Sequence, residues 1–64
     1  MNSLYSIVKH WHDLHPDISN DTMWELVRPE FMEDNPQCLR KTINAYLNRF
    51  RREFNQRFQH LTLQ

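Results

Sequence analysis

The stretch LRKTINAYLNRFRREFNQRFQHL, which runs from Leu39 to Leu61, decides the fold of this chain. Its apolar residues follow one another at steps of four, four, three, four, four and three positions. An α-helix has about 3.6 residues per turn, so residues at these steps fall on one face of a single helix. An eleven-residue period gives a straight or slightly right-handed seam and not the left-handed coil of a heptad repeat. The apolar seam predicted in this way consists of Leu39, Ile43, Leu47, Phe50, Phe54, Phe58 and Leu61.

The beginning of this long helix is marked by Asn35 and Pro36. Asparagine is favoured at the N-cap and proline at the first helical position. Nothing breaks the pattern before the end of the seam, so the helix is predicted over residues 36–61. At 1.5 Å per residue, such a helix is about 39 Å long.

Two shorter helices are predicted ahead of it. Apolar side chains recur every three or four positions in residues 3–15, and Pro16 ends that pattern because it disfavours a helical residue before it. Ser19 is a favoured N-cap for a second helix over residues 19–28. Pro29 interrupts that helix because proline lacks an amide hydrogen. We expect a further turn to about residue 33.

The composition favours helices throughout. Glycine, on which tight hairpin turns depend, is absent, and no β-branched run alternates with polar residues. A chain of 64 residues forms one domain at most. We therefore predict that residues 1–64 form a single all-α, three-helix domain with two short N-terminal helices and one long C-terminal helix.

The length of the third helix predicts a partner. A first helix of about a dozen residues reaches only about 18 Å, so two short helices leave the far end of the third uncovered. An exposed large apolar side chain forgoes roughly 1.5–3 kcal/mol of burial. We expect a second copy of the chain to cover this end, with another protein or a fold-back of the chain as alternatives. The predicted dimer or partner interface consists of Phe50, Phe54, Phe58 and Leu61.

The charges are divided between the two halves of the chain. The formal net charge is zero, but residues 1–37 hold two basic and seven acidic side chains, while residues 38–64 hold six basic and one acidic. Such a division indicates either a charged partner or an acidic part that packs on a basic part.

Nucleic-acid binding by the third helix is the alternative function. Arg and Lys bind phosphate, Asn and Gln can contact base edges, and a basic third helix in a three-helix domain is a common DNA-binding arrangement. The sequence pI of about 6.9 counts against it, since such domains normally have a pI above about 9. The residues predicted to face outward and contact nucleic acid are Lys41, Arg49, Arg52 and Gln56.

The histidines and the single cysteine do not form a recognisable catalytic or metal-binding motif. His12 and His15 share a helix face, but no pair of ligands has the C-x₂-C spacing of a zinc site, so we predict no metal and no cofactor. We expect Cys38 to be a small, partly buried side chain, because no oriented base is implied by its spacing. We predict that the chain is not an enzyme.

The N-terminal residues do not resemble a signal peptide, and no apolar run approaches the ~18 residues that span a bilayer. A lone cysteine excludes an internal disulfide and suits a reducing compartment. We therefore expect a soluble, cytoplasmic protein that makes no membrane contact. Its predicted function is that of a small regulatory or adaptor protein, acting through protein–protein interaction as a homodimer and with another protein as a further partner.

Overall fold

The computed structural model describes residues 3–31 and 35–62, with side chains described as far as Phe58. Three α-helices follow one another in the chain: α1 over Leu4–Leu14, α2 over Asn20–Val27 and α3 over Pro36–Thr62. A 3₁₀ turn over Arg28–Glu30 follows α2 directly, and the described ranges contain no strand. The predicted all-α class and the three helices are confirmed.

Each α-helix begins at a polar residue whose side chain caps it. The Ser3 hydroxyl accepts the amide of Ser6, and the Ser19 hydroxyl accepts the amide of Thr22, each at 3.1 Å. The Asn35 side chain accepts the amide of Cys38 at the same distance. These bonds satisfy amides that have no partner inside the helix, which is why Ser and Asn recur at these positions.

The break at Pro29 is a change of helix type. The chain passes from α2 into the 3₁₀ turn without leaving helical geometry at Arg28, and the Phe31 amide donates to the Arg28 carbonyl at 3.1 Å. The turn ends at Glu30, which is earlier than the predicted end at about residue 33. Residues 32–34 lie outside the described residues.

Helix α1 runs in the same direction as α3 and lies along its middle and distal part. The Tyr5 ring, near the start of α1, contacts the Tyr46 ring at 5.4 Å between centroids. About two helical turns later in α1, the His12 ring contacts the Phe54 ring, with 5.9 Å between the centroids. The two helices are therefore parallel, and α1 ends at Leu14, close to the level of Phe54 on α3.

Helix α2 runs against α3 and lies along its proximal part. The Arg51 guanidinium donates to the Asn20 side chain at 2.6 Å and to the Ile18 carbonyl at 2.5 Å. Nearer the start of α3, the Arg40 guanidinium pairs with Asp21 and stands 5.6 Å from the ring centroid of Trp24, in the middle of α2. From Ile18 to Trp24 the chain therefore passes from Arg51 to Arg40 on α3, so α2 is antiparallel to α3.

The core lies where the three helices meet. Its centre on α3 is formed by the first four residues of the seam, which are all buried. The molecule measures 47 × 21 × 17 Å along its principal axes, so α3 sets its long dimension. The buried hydrophobic residues are Ile7, Val8, Ile18, Met23, Val27, Leu39, Ile43, Leu47 and Phe50.

None of the helices in the described ranges is both long enough and apolar enough to cross a bilayer.

Arg51→Ala should lower the free energy of unfolding by about 1.5–3 kcal/mol, because it removes two charge-assisted bonds that join α3 to the start of α2. The measurement is urea unfolding followed by circular dichroism. Arg52→Ala is the matched control: Arg52 is exposed and has no hydrogen bond within the described part of the chain, so the change should stay within about 0.5 kcal/mol. Equal losses in both variants would contradict the assigned role of Arg51.

Candidate protein-interaction surface

Exposure of the apolar seam increases along α3. Phe50 is only 2 % exposed and Phe54 is half-buried, but Phe58 is 56 % exposed. The cause is the length of α1, whose last ring contact with the seam is that of His12 with Phe54. Phe50, which the sequence placed in the predicted interface, is instead a core residue. The side chain of Leu61 lies outside the described residues.

Phe54 and Phe58 form one apolar surface, here called the distal patch. Their ring centroids are 5.2 Å apart with the planes tilted by 39°. Phe54 also meets the edge of the His12 ring at 85°, so the patch is anchored on α1. Contact of this kind fixes the orientation of Phe54 beside the more exposed ring of Phe58.

An open pocket of about 230 Å³ adjoins the distal patch between α1 and α3. Lys9 and Asp13 of α1 line one side and form an ion pair at 3.6 Å, while Glu53 and Arg57 line the side of α3. Both signs of charge therefore surround Phe54. An apolar centre with a mixed polar rim is the usual composition of a protein–protein interface.

His12 is a buried member of this region that the sequence analysis did not assign to the core. It is 3 % exposed, and its Nδ1 atom lies 3.3 Å from the Asp13 carboxylate. Its Nε2 atom is buried and has no hydrogen-bond partner within the described residues. The sequence spacing does indicate this burial, because His12 follows the buried Val8 by four positions and so lies on the same helix face.

The histidines of α1 are not gathered into one site. The His15 ring stacks on Trp11 with the planes 12° apart, whereas His12 faces Phe50 and Phe54. In the ranges 3–31 and 35–58, no three His, Cys, Asp or Glu side chains lie close enough together to hold a metal ion.

Cys38 lies in the first turn of α3. It is a free thiol and it is exposed, so the expectation of a partly buried side chain is wrong. The reason is its position: Leu39, the first residue of the seam, is the one that turns to the core in this turn.

The residues assigned to nucleic-acid contact lie on the outside of α3. Lys41, Arg49, Arg52 and Gln56 are all exposed. Arg49 donates to Glu53 at 3.2 Å and lies 6.0 Å from the Tyr5 ring centroid, so part of its charge is neutralised locally.

Two other basic residues of α3, Arg40 and Arg51, face α2. Arg40 forms an ion pair with Asp21, and Arg51 donates to Asn20 and Ile18. Among the described residues, the Arg40–Asp21 pair is the one ion pair between the acidic half and the basic half, so the packing of the two halves, one of the two interpretations of the charge division, accounts for one cation of α3.

Comparison of the chain with protein-family models, with curated proteins and with solved structures gives no match.

His12→Phe should raise the free energy of unfolding by about 1 kcal/mol. A buried nitrogen without a partner carries an uncompensated desolvation cost, and a phenyl ring meets Phe50 and Phe54 without that cost. Thermal and urea unfolding measure the change. His10→Phe is the control on the exposed side of the same helix and should change the stability by less than about 0.5 kcal/mol. A His12→Phe protein that is less stable than the wild type would contradict this, because it would show that the imidazole contributes more to stability than its desolvation costs.

Proposed function

We propose that this chain is a small, non-enzymatic regulatory or adaptor protein that acts by binding protein through the distal patch, and that its first partner is a second copy of itself. The observation that carries the proposal is the state of Phe58, a large aromatic side chain 56 % exposed and in ring contact with the half-buried Phe54. Covering a side chain of this size is favourable by roughly 1.5–3 kcal/mol. In a domain of this size that is a large fraction of the total stability.

A second copy of the chain fits the distal patch because the patch can pack against the same patch of another copy. A two-fold interface uses the same surface on both subunits, so each Phe58 packs against the Phe54 of the other copy. The seam of α3 has an eleven-residue period, so two such helices can lie side by side without the supercoil of a heptad repeat.

The charges beside the distal patch are also self-complementary. Glu53 and Arg57 are one helical turn apart on the flank of α3 that faces the α1 pocket. In an antiparallel pair of α3 helices, equivalent flanks meet, and Glu53 of one copy comes near Arg57 of the partner subunit. Exposed ion pairs contribute little energy, but they favour one orientation over the other.

A binding role is supported over catalysis by the surroundings of the one thiol. Cys38 takes part in the described hydrogen bonds through its backbone only, with its amide donating to Asn35 and its carbonyl accepting from Thr42. A nucleophilic thiol needs a base within hydrogen-bonding reach of its sulfur. The exposed free thiol also fits the reducing conditions of the cytoplasm, where we propose that the dimer acts on a further protein.

The wild-type chain should sediment with a mass near twice 8.0 kDa, and Phe58→Asp should return it to a single-chain mass. The aspartate would place a charge in the centre of an apolar contact, where its desolvation is costly. Sedimentation equilibrium over a range of concentrations measures both masses.

Leu26→Asp is the matched control for this experiment. Leu26 is a partly exposed apolar residue of α2, two positions after Trp24, and α2 makes none of the ring contacts of the distal patch and does not line its pocket. Its replacement should leave the dimer intact. A wild-type chain that sediments as a single copy at every concentration would end the homodimer proposal, and equal dissociation of both variants would show that the contact is not at the distal patch.

A further inference from the structure

The outward side of α3 carries a row of polar and basic side chains that neither the core nor the distal patch uses. Its members follow one another at steps of four, three, four and four positions, so they lie on one face opposite the seam. All of them are exposed, and the row is about 22 Å long at 1.5 Å per residue. This outward row consists of Lys41, Ala45, Asn48, Arg52 and Gln56.

The basic residues of α3 behave differently according to the direction they face. Arg40 and Arg51 turn towards α2 and are held there by Asp21 and by the start of α2. Lys41 and Arg52 turn outward, and neither has an ion pair or hydrogen bond to any residue in the described ranges. Lys41 and Arg52 are therefore left for a ligand on the outward row, while Arg57 is left on the flank beside the α1 pocket.

The outward row contains no acidic residue. Glu53 is the one acidic residue between Pro36 and Phe58 in the sequence, and it lies beside the α1 pocket, where Arg49 donates to it. The acidic surface of α1 and α2 lies on the other side of α3, because both helices pack against the seam. An anion that approaches the outward row meets positive charge and amide groups.

We propose that the outward row binds in the major groove of duplex DNA. The major groove of B-form DNA is about 12 Å wide and admits one α-helix. Lys41 and Arg52 are about 16 Å apart along the helix axis, so they can reach phosphates on the two strands that border the groove. Asn48 lies between them with an amide that can contact a base edge, and the small side chain of Ala45 permits a close approach.

A DNA duplex fits this row better than an RNA duplex does. The major groove of A-form RNA is deep and narrow and does not admit a helix with its side chains. The row also contains no exposed aromatic side chain, whereas sites for single strands stack bases on aromatic rings. Since the chain has no net charge, its long-range attraction to DNA is small, and binding depends on the contacts of Lys41 and Arg52 with phosphates.

The test is fluorescence anisotropy of a short labelled DNA duplex, titrated with the protein at several salt concentrations between about 50 and 200 mM. Two phosphate contacts predict a log–log slope of affinity against salt of about −2. Lys41→Gln and Arg52→Gln should each flatten the slope by about 0.9 and weaken binding about tenfold at the lowest salt.

Arg57→Gln is the matched control, because it removes the same charge from α3 at a residue that lines the α1 pocket and not the outward row. It should leave the slope unchanged. The proposal is overturned if the duplex does not bind at the lowest salt, if Arg57→Gln weakens binding as much as the two outward changes, or if an RNA duplex of the same sequence binds equally well. Circular dichroism checks that each variant keeps its helices.

Discussion

The structure depends on a mismatch of length between one long helix and the two short ones that cover it. Helix α3 has 27 residues, whereas α1 has 11 and α2 has 8. Together, α1 and α2 bury the seam from Leu39 to Phe50. The half-buried state of Phe54 and the exposure of Phe58 follow from where α1 stops. The proposal that a second copy covers the distal patch depends on that limit.

The cations of α3 serve two purposes that the fold keeps apart. Those that face α2 are structural: Arg51 connects the start of α2 to the middle of α3, and Arg40 stacks near Trp24 while it pairs with Asp21. Lys41 and Arg52, on the outward row, are left to the solvent or to a ligand. A count of charges in the sequence cannot separate the two groups, because the separation depends on which side of the helix α2 occupies.

Much of the fold could be predicted from the sequence because the signals were local. The caps at Ser19 and Asn35 and the break at Pro29 act through neighbouring backbone atoms, and they are where the spacing placed them. The position at which the seam changes from buried to exposed, near Phe54, could be predicted only roughly, since it depends on how far α1 reaches along α3 in the packed structure. His12 was missed because an imidazole is polar by composition, while its position four residues after Val8 decides its burial.

The short length of α2 has a consequence for how the chain folds. Helices of fewer than about 12–15 residues are marginal in water on their own, whereas one of 27 residues without glycine can retain helical turns before tertiary contacts form. The three elements therefore need not form together. Helix α3 can therefore hold helical turns by itself, whereas α1 and α2 depend on docking against it, which is also when Arg51 can reach the Ile18 carbonyl. The bonds of Arg51 close a loop of more than thirty residues, and the chain entropy lost on that closure is offset only once α2 is docked.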